Sequence, residues 1–118
     1  MATHTPSHDI SELIGRCALR DRAAFRTLYE RTSAKLFGVT LRILKNRSEA
    51  EEAIQEVYVK IWQRADRYVA GTYSPISWMV AVARNHSLDI LRARRPTADD
   101  IDVLAAVVVG YRAGASAA

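Results

Sequence analysis

Between positions 48 and 65 the apolar residues fall at Ala50, Ala53, Ile54, Val57, Tyr58, Ile61, Trp62 and Ala65. Spacings of three and four residues, kept without a fault, fit the 3.6-residue turn of a helix with one buried face and do not fit the two-residue period of a strand. The same period governs three other segments. Ile10, Leu13, Ile14, Cys17 and Ala18 make a short stripe. Phe25, Leu28, Tyr29, Thr32, Leu36, Val39 and Ile43 make a long one, and Ile76, Met79, Val80, Ala83, Ser87, Ile90 and Leu91 a fourth. Four one-sided helices must bury their stripes against one another, so the sequence predicts an all-α, compact bundle of about four helices.

Capping chemistry sets the expected boundaries. Asp9, with Glu12 three residues on, reads as a capping box opening the first helix, and Asp21 caps the second after a break at Leu19–Arg22. Ser48 with Glu51 reads as a second capping box. Ser74-Pro75 pairs an N-cap serine with a proline at the first helical position, and Pro96 stops the last helix. Asp66 to Tyr73 loses the period and contains Gly71, so it reads as a loop. The expected organisation is a disordered leader over 1–8, a helical domain over 9–96 and a linker or tail over 97–118.

The chain of 118 residues suits one domain with one core. A single cysteine, Cys17, excludes an internal disulfide and a thiolate metal cluster within the chain, and its place in the first stripe predicts a buried thiol. No basic segment leading into an apolar one opens the chain, and the most apolar run, 101–110, is about half of the ~20 residues that cross a bilayer. The expectation is a cytoplasmic protein with no membrane contact.

Net charge is +4, and its distribution matters more than its size. The third helix sets Glu49, Glu52, Glu56, Lys60 and Gln63 opposite its apolar stripe, with Gln55 beside them. Solvation, i,i+4 pairing of Glu56 with Lys60 and the helix dipole account for much of this without a partner. The fourth helix carries Arg84, Arg92, Arg94 and Arg95 against one acid, Asp89, with Asn85, His86 and Ser87 among them. Ahead of it come Arg67, Tyr68, Tyr73 and Trp78. Cations that neutralise phosphates, amides that reach base edges and aromatics that stack on bases form one set of nucleic-acid contacts. A solvated basic helix end with core aromatics is the competing reading, and Trp78 by itself fits the core.

The ordered strings LKNRSEAEEAIQEVYVKIWQRADRY and WMVAVARNHSLDILRARRP resemble conserved region 2 of bacterial sigma factors of the extracytoplasmic-function group, from about Asp9 to Pro96. The resemblance implies an acidic helix that binds the clamp helices of the β′ subunit of core RNA polymerase, a role falling on Glu49, Glu52, Gln55, Glu56 and Lys60. It implies that the loop and last helix recognise and melt the promoter −10 element, capturing a flipped base of the non-template single strand. Those contacts fall on Asp66, Arg67, Tyr68, Thr72 and Tyr73 in the loop and on Trp78, Arg84, Asn85, His86 and Asp89 in the helix, with Arg92, Arg94 and Arg95 toward phosphates. An anti-sigma factor is a further implied partner. Where the family usually reads D-A-E-D, this chain reads Ser48-Glu49-Ala50-Glu51-Glu52. Only 22 residues follow Pro96, too few for the family's second, helix-turn-helix domain, so a region 2 fragment or a shortened variant is expected.

A helical protein-interaction module without DNA contact is the alternative, and it leaves the arginine-rich helix and aromatic loop unused. An enzyme is not expected. His4 and His8 form an H-x3-H pair with no predicted helix to hold it, His86 has no nucleophile to activate, and no phosphate-binding glycine loop is present. No cofactor is implied.

Overall fold

The computed structural model describes residues 6–94, with side chains from Asp9 onward. Arg95, the expected stop at Pro96, the 97–118 tail and the side chains of His4 and His8 lie outside the described residues. Four helices follow in chain order: α1 (Pro6–Ala18), α2 (Arg22–Leu44), α3 (Arg47–Arg64) and α4 (Pro75–Ala93). A single 3-10 turn, Ala65–Arg67, leads from α3 into the loop. No strand occurs among the described residues, as the all-α reading requires.

Two boundaries differ from expectation. Helix α1 begins at Pro6 rather than Asp9, so the end of the expected leader is helical. Proline suits a first helical turn, where its fixed φ is already right and its missing N–H would have no partner. Asp9, freed from capping, reaches across to Arg31 of α2 at 3.1 Å. Helix α3 is capped by Asn46 and not by Ser48. Asn46 Oδ1 accepts the Glu49 N–H at 3.0 Å, and Glu51 pairs with Arg47 at 3.2 Å instead of closing a capping box. The cause is the end of α2, where Lys45 adopts the left-handed conformation (φ 56°) and turns the chain at once. The two other expected caps are in place. Asp21 Oδ1 accepts the Ala24 N–H at 3.2 Å, and Ser74 Oγ accepts the Ser77 N–H at 3.0 Å with Pro75 opening α4.

Helix α2 is the spine. Its buried residues are Ala24, Leu28, Thr32, Leu36, Thr40 and Leu44, an unbroken row of i+4 steps. Such a row runs obliquely across a helix surface, so one helix can meet several partners along its length. Helix α2 packs against α1, α3 and α4 in this way. The two threonines in the row bond their hydroxyls to carbonyls of the preceding turn, Thr32 to Leu28 at 2.7 Å and Thr40 to Phe37 at 2.9 Å. Tyr58 of α3 also meets the Thr32 hydroxyl, and burial holds the Tyr58 phenol above its usual range, with that hydrogen bond opposing the shift.

Aromatic rings close the α2–α3 seam edge-on. Phe25 meets Trp62 at 5.0 Å, and Tyr29 meets Tyr58 at 4.7 Å. Each such pair contributes about 0.5–1.5 kcal/mol beyond area burial. Ile14, Leu28, Leu36, Val57, Ile61, Met79 and Cys17 are fully enclosed. Burial of Cys17, with the Asp21 carboxylate beside it, pushes its thiol up to about 11.

Candidate functional site

The chain leaves α3 on one buried anchor, Ala65, whose 3-10 turn sets Asp66 and Arg67 outward. The loop then closes a tight turn in which Thr72 N–H donates to Val69 C=O at 3.3 Å. Gly71 is the third residue of that turn with φ 90°, a conformation that side-chain-bearing residues rarely adopt. Tyr68 folds back from the loop: its ring tilts against Trp78 with centroids 5.7 Å apart, and its hydroxyl donates to the Tyr73 carbonyl at 3.2 Å. Tyr68 thus ties down the loop, while the Tyr73 ring stands 54% exposed. Trp78 does two things, since one part of it packs against the core and another lines a hollow.

That hollow, of about 270 Å³, lies between the 3-10 turn and α4, with walls from Arg64, Arg67, Trp78 and Asn85. It is close to the lower size limit of small-ligand clefts, and it joins an indole, an amide and two cations. Neither Arg64 nor Arg67 has a carboxylate within ion-pair distance among the described residues. Arg64 was not among the residues the sequence reading singled out. The signal for it was present: it ends α3, three residues before Arg67.

The basic residues of α4 divide. Arg84 is exposed and has no carboxylate partner among the described residues. Arg92 is held by Asp89 at 3.0 Å, and Arg94 is ion-paired with Glu49. The Arg94–Glu49 pair joins a residue expected at DNA to one expected at polymerase, so the two charged faces adjoin at this end of the bundle. His86 departs further. It is 8% exposed, on the same side of α4 as Met79, Ala83 and Ser87, and neither ring nitrogen has a hydrogen-bond partner among the described residues. Its Nε2 faces Glu56 Oε1 of α3 at 3.6 Å, too long for a hydrogen bond. A residue so placed is not on the surface that Arg84 and Asn85 share. Positions 79, 83, 86 and 87 fall on one helical face, and that spacing carried the signal.

The contacts Glu49–Arg94 and Glu56–His86 run in opposite chain directions, so α3 and α4 lie antiparallel with the acidic row along their junction. Glu52 and Gln55 are exposed on α3, and Lys60 is half-buried. Glu52 has no cationic partner among the described residues. Its charge is therefore available to an outside cation, whereas that of Glu49 is taken up by Arg94. No group of side chains among the described residues could hold a metal ion, and no described helix is long and apolar enough to cross a membrane.

A family model described as Sigma-70 region 2 matches residues 28–97, taking in most of α2 and all of α3, the loop and α4. The ECF RNA polymerase sigma factor SigK of Mycobacterium ulcerans is 32% identical over 89 residues, which cover 75% of this chain and 48% of the relative. SigK of Mycobacterium tuberculosis is 29% identical over 89 residues, covering 75% and 48%. SigK of a further Mycobacterium species is 32% identical over 85 residues, covering 72% and 44%. The chain spans about half the length of the curated relatives it matches.

Proposed function

The chain belongs to the sigma-70 region 2 family, with relatives named as ECF RNA polymerase sigma factors, and on that premise we propose that it is the part of a transcription initiation factor that joins core RNA polymerase and captures the melted −10 promoter strand. The hollow beside the 3-10 turn carries this reading. An unstacked base of the non-template strand enters between Trp78 and Asn85, the indole taking its face and the amide its edge. Arg67 and Arg64 in its wall and the exposed Arg84 beyond it neutralise the flanking phosphates, and the exposed Tyr73 offers a second stacking surface. Extruding a base costs a few kcal/mol of stacking and pairing, which these contacts offset together. Asp66 and Thr72 border the strand's path, and Asp89, Arg92 and Arg94 hold the C-terminal turns of α4 while adding field rather than direct contacts.

On α3, Glu52 meets a basic coiled coil of the β′ subunit, with Glu49, Gln55, Glu56 and Lys60 around it. An anti-sigma factor that covers this face would keep the chain from polymerase, and the cytoplasm is where all these partners meet. The test is binding of a −10-like single strand, with and without core polymerase, over a salt series. Phosphate contacts give a steep salt dependence. Flat binding, or none even with core enzyme, would overturn the reading in favour of a protein-interaction module without DNA contact.

A further inference from the structure

The hollow lined by Arg67 and Trp78 has a neighbour. On the other flank of α4, where that helix meets α2, lies a groove of about 500 Å³ whose rim carries Lys35 of α2 and Arg84 of α4. Its floor is apolar, formed by Ile76, Val80 and Leu88. Ala81 and Asn85 line both spaces, so only a low ridge, one methyl side chain and one amide wide, separates them. Lys35 and Arg84 are both exposed and have no carboxylate partner among the described residues. Two unneutralised cations over an apolar floor suit a ligand with anionic links and flat apolar faces, which is the chemistry of a single nucleic-acid strand. An acidic peptide would satisfy the cations as well. Continuity across Ala81 with the first hollow favours one strand that passes over both.

Resting on the DNA reading above, we infer that the α2–α4 groove is a second single-strand site, in which Arg84 holds the phosphate that follows the first base, Lys35 holds the next phosphate, and the nucleotide between them lies on Ile76, Val80 and Leu88. The strand crosses α4 at Ala81, where a larger side chain would obstruct it, and Asn85 serves nucleotides on both sides of the crossing. Lys35 lies on a helix with no other proposed DNA contact, so its contribution depends on this path alone.

The test uses the full chain with core polymerase and two fluorescent non-template oligonucleotides, one ending at the base held in the first hollow and one extended by several nucleotides. The wild-type chain binds the longer strand more tightly. Lys35→Ser removes most of that gain, lowers the salt slope on the long strand by about 0.7 and leaves the short strand unchanged. Arg67→Ser weakens both strands, which reports on the first hollow independently. Ala81→Leu, at an exposed position of α4, weakens the long strand more than the short one. If Lys35→Ser leaves the length gain and the salt slope intact while Arg67→Ser still weakens binding, the second site is wrong and the first stands. If the wild-type chain binds neither strand, both readings fall. An acidic peptide that competes with the short and the long strand alike would also overturn the second site, since it would locate the peptide elsewhere.

Discussion

Arg84→Ala and Arg94→Ala make a matched pair whose outcomes the ion pairs decide. Arg84 lies midway along α4 and Arg94 caps its C-terminal end, both are exposed, and composition gives no reason to distinguish them. The structure does, because Arg94 is already paired with Glu49, whereas Arg84 has no carboxylate partner among the described residues. For a single strand each neutralised phosphate contributes about 0.7 to the slope of log K against log salt. Arg64, Arg67 and Arg84 together therefore give a slope of about −2, and Lys35 as a fourth contact brings it to about −3. Three contacts at about 0.7 each, a slope of about −2.1, mean roughly an eighteenfold loss of affinity between about 50 and 200 mM salt. Arg84→Ala should reduce the slope by about 0.7, so that the same change of salt costs roughly sevenfold in the three-contact case. Arg94→Ala should change the slope by less than half as much, because a cation already neutralised by Glu49 releases few counterions. Fluorescence anisotropy with a labelled −10-like strand and core polymerase measures both slopes. An unchanged slope for Arg84→Ala, or equal changes for the two variants, would refute the assignment of contacts from ion pairing.

Three further outcomes follow from the same structure. Charge reversal at Glu52 and Glu56 should weaken capture of the isolated β′ clamp coiled coil at least tenfold while circular dichroism and melting stay close to wild type; undiminished capture would leave the acidic row as solvated surface. Leu36→Ala, at a fully enclosed site in the middle of the α2 row, should cost about 2–5 kcal/mol in denaturant unfolding; a cost below about 1 kcal/mol would mean the row is not the packing seam. The folded chain should resist thiol reagents near pH 8, because burial holds Cys17 at about 11. Since the unfolded thiol ionises from about 9, that group's stabilising contribution is complete below pH 9 and declines as pH rises toward about 11, with Tyr58 acting in the same sense. Stability that rises over that interval would contradict the burial.

Much of the fold is written in short-range chemistry. The stripes of α1, α3 and α4, the caps at Asp21 and Ser74 and the glycine turn at Gly71 each depend on residues within a few positions of one another. The misplaced caps have physical causes of the same local kind but with competitors. Asn46 and Ser48 can each accept the bond that opens a helix, and the left-handed Lys45 decides for Asn46 by ending α2 one residue earlier. Pro6 and Asp9 compete in the same way at the start of α1.

The site was less legible because its parts meet only through packing. Glu49 and Arg94 are 45 residues apart, and nothing near either one announces their pairing. His86 carries a polar name and an apolar position, and its spacing from Met79 and Ala83 outweighs its chemistry. Arg64 and Lys35 look like ordinary surface cations until packing sets each beside a hollow on a flank of α4. Family resemblance named the loop and the helix, whereas only the packed bundle separates arginines with a partner from those without one.

The central claim is that the hollow between the 3-10 turn and α4 receives one unstacked base of the non-template −10 strand. A fluorescent adenine analogue, moved one position at a time along that strand in a complex of the full chain with core polymerase, tests it most directly. One position should report a base removed from its neighbours and enclosed, and Arg67→Ala or Asn85→Ala should abolish the signal at that position while the chain stays bound to polymerase through α3. A profile with no distinguished position, identical to that of core polymerase alone, would contradict the account.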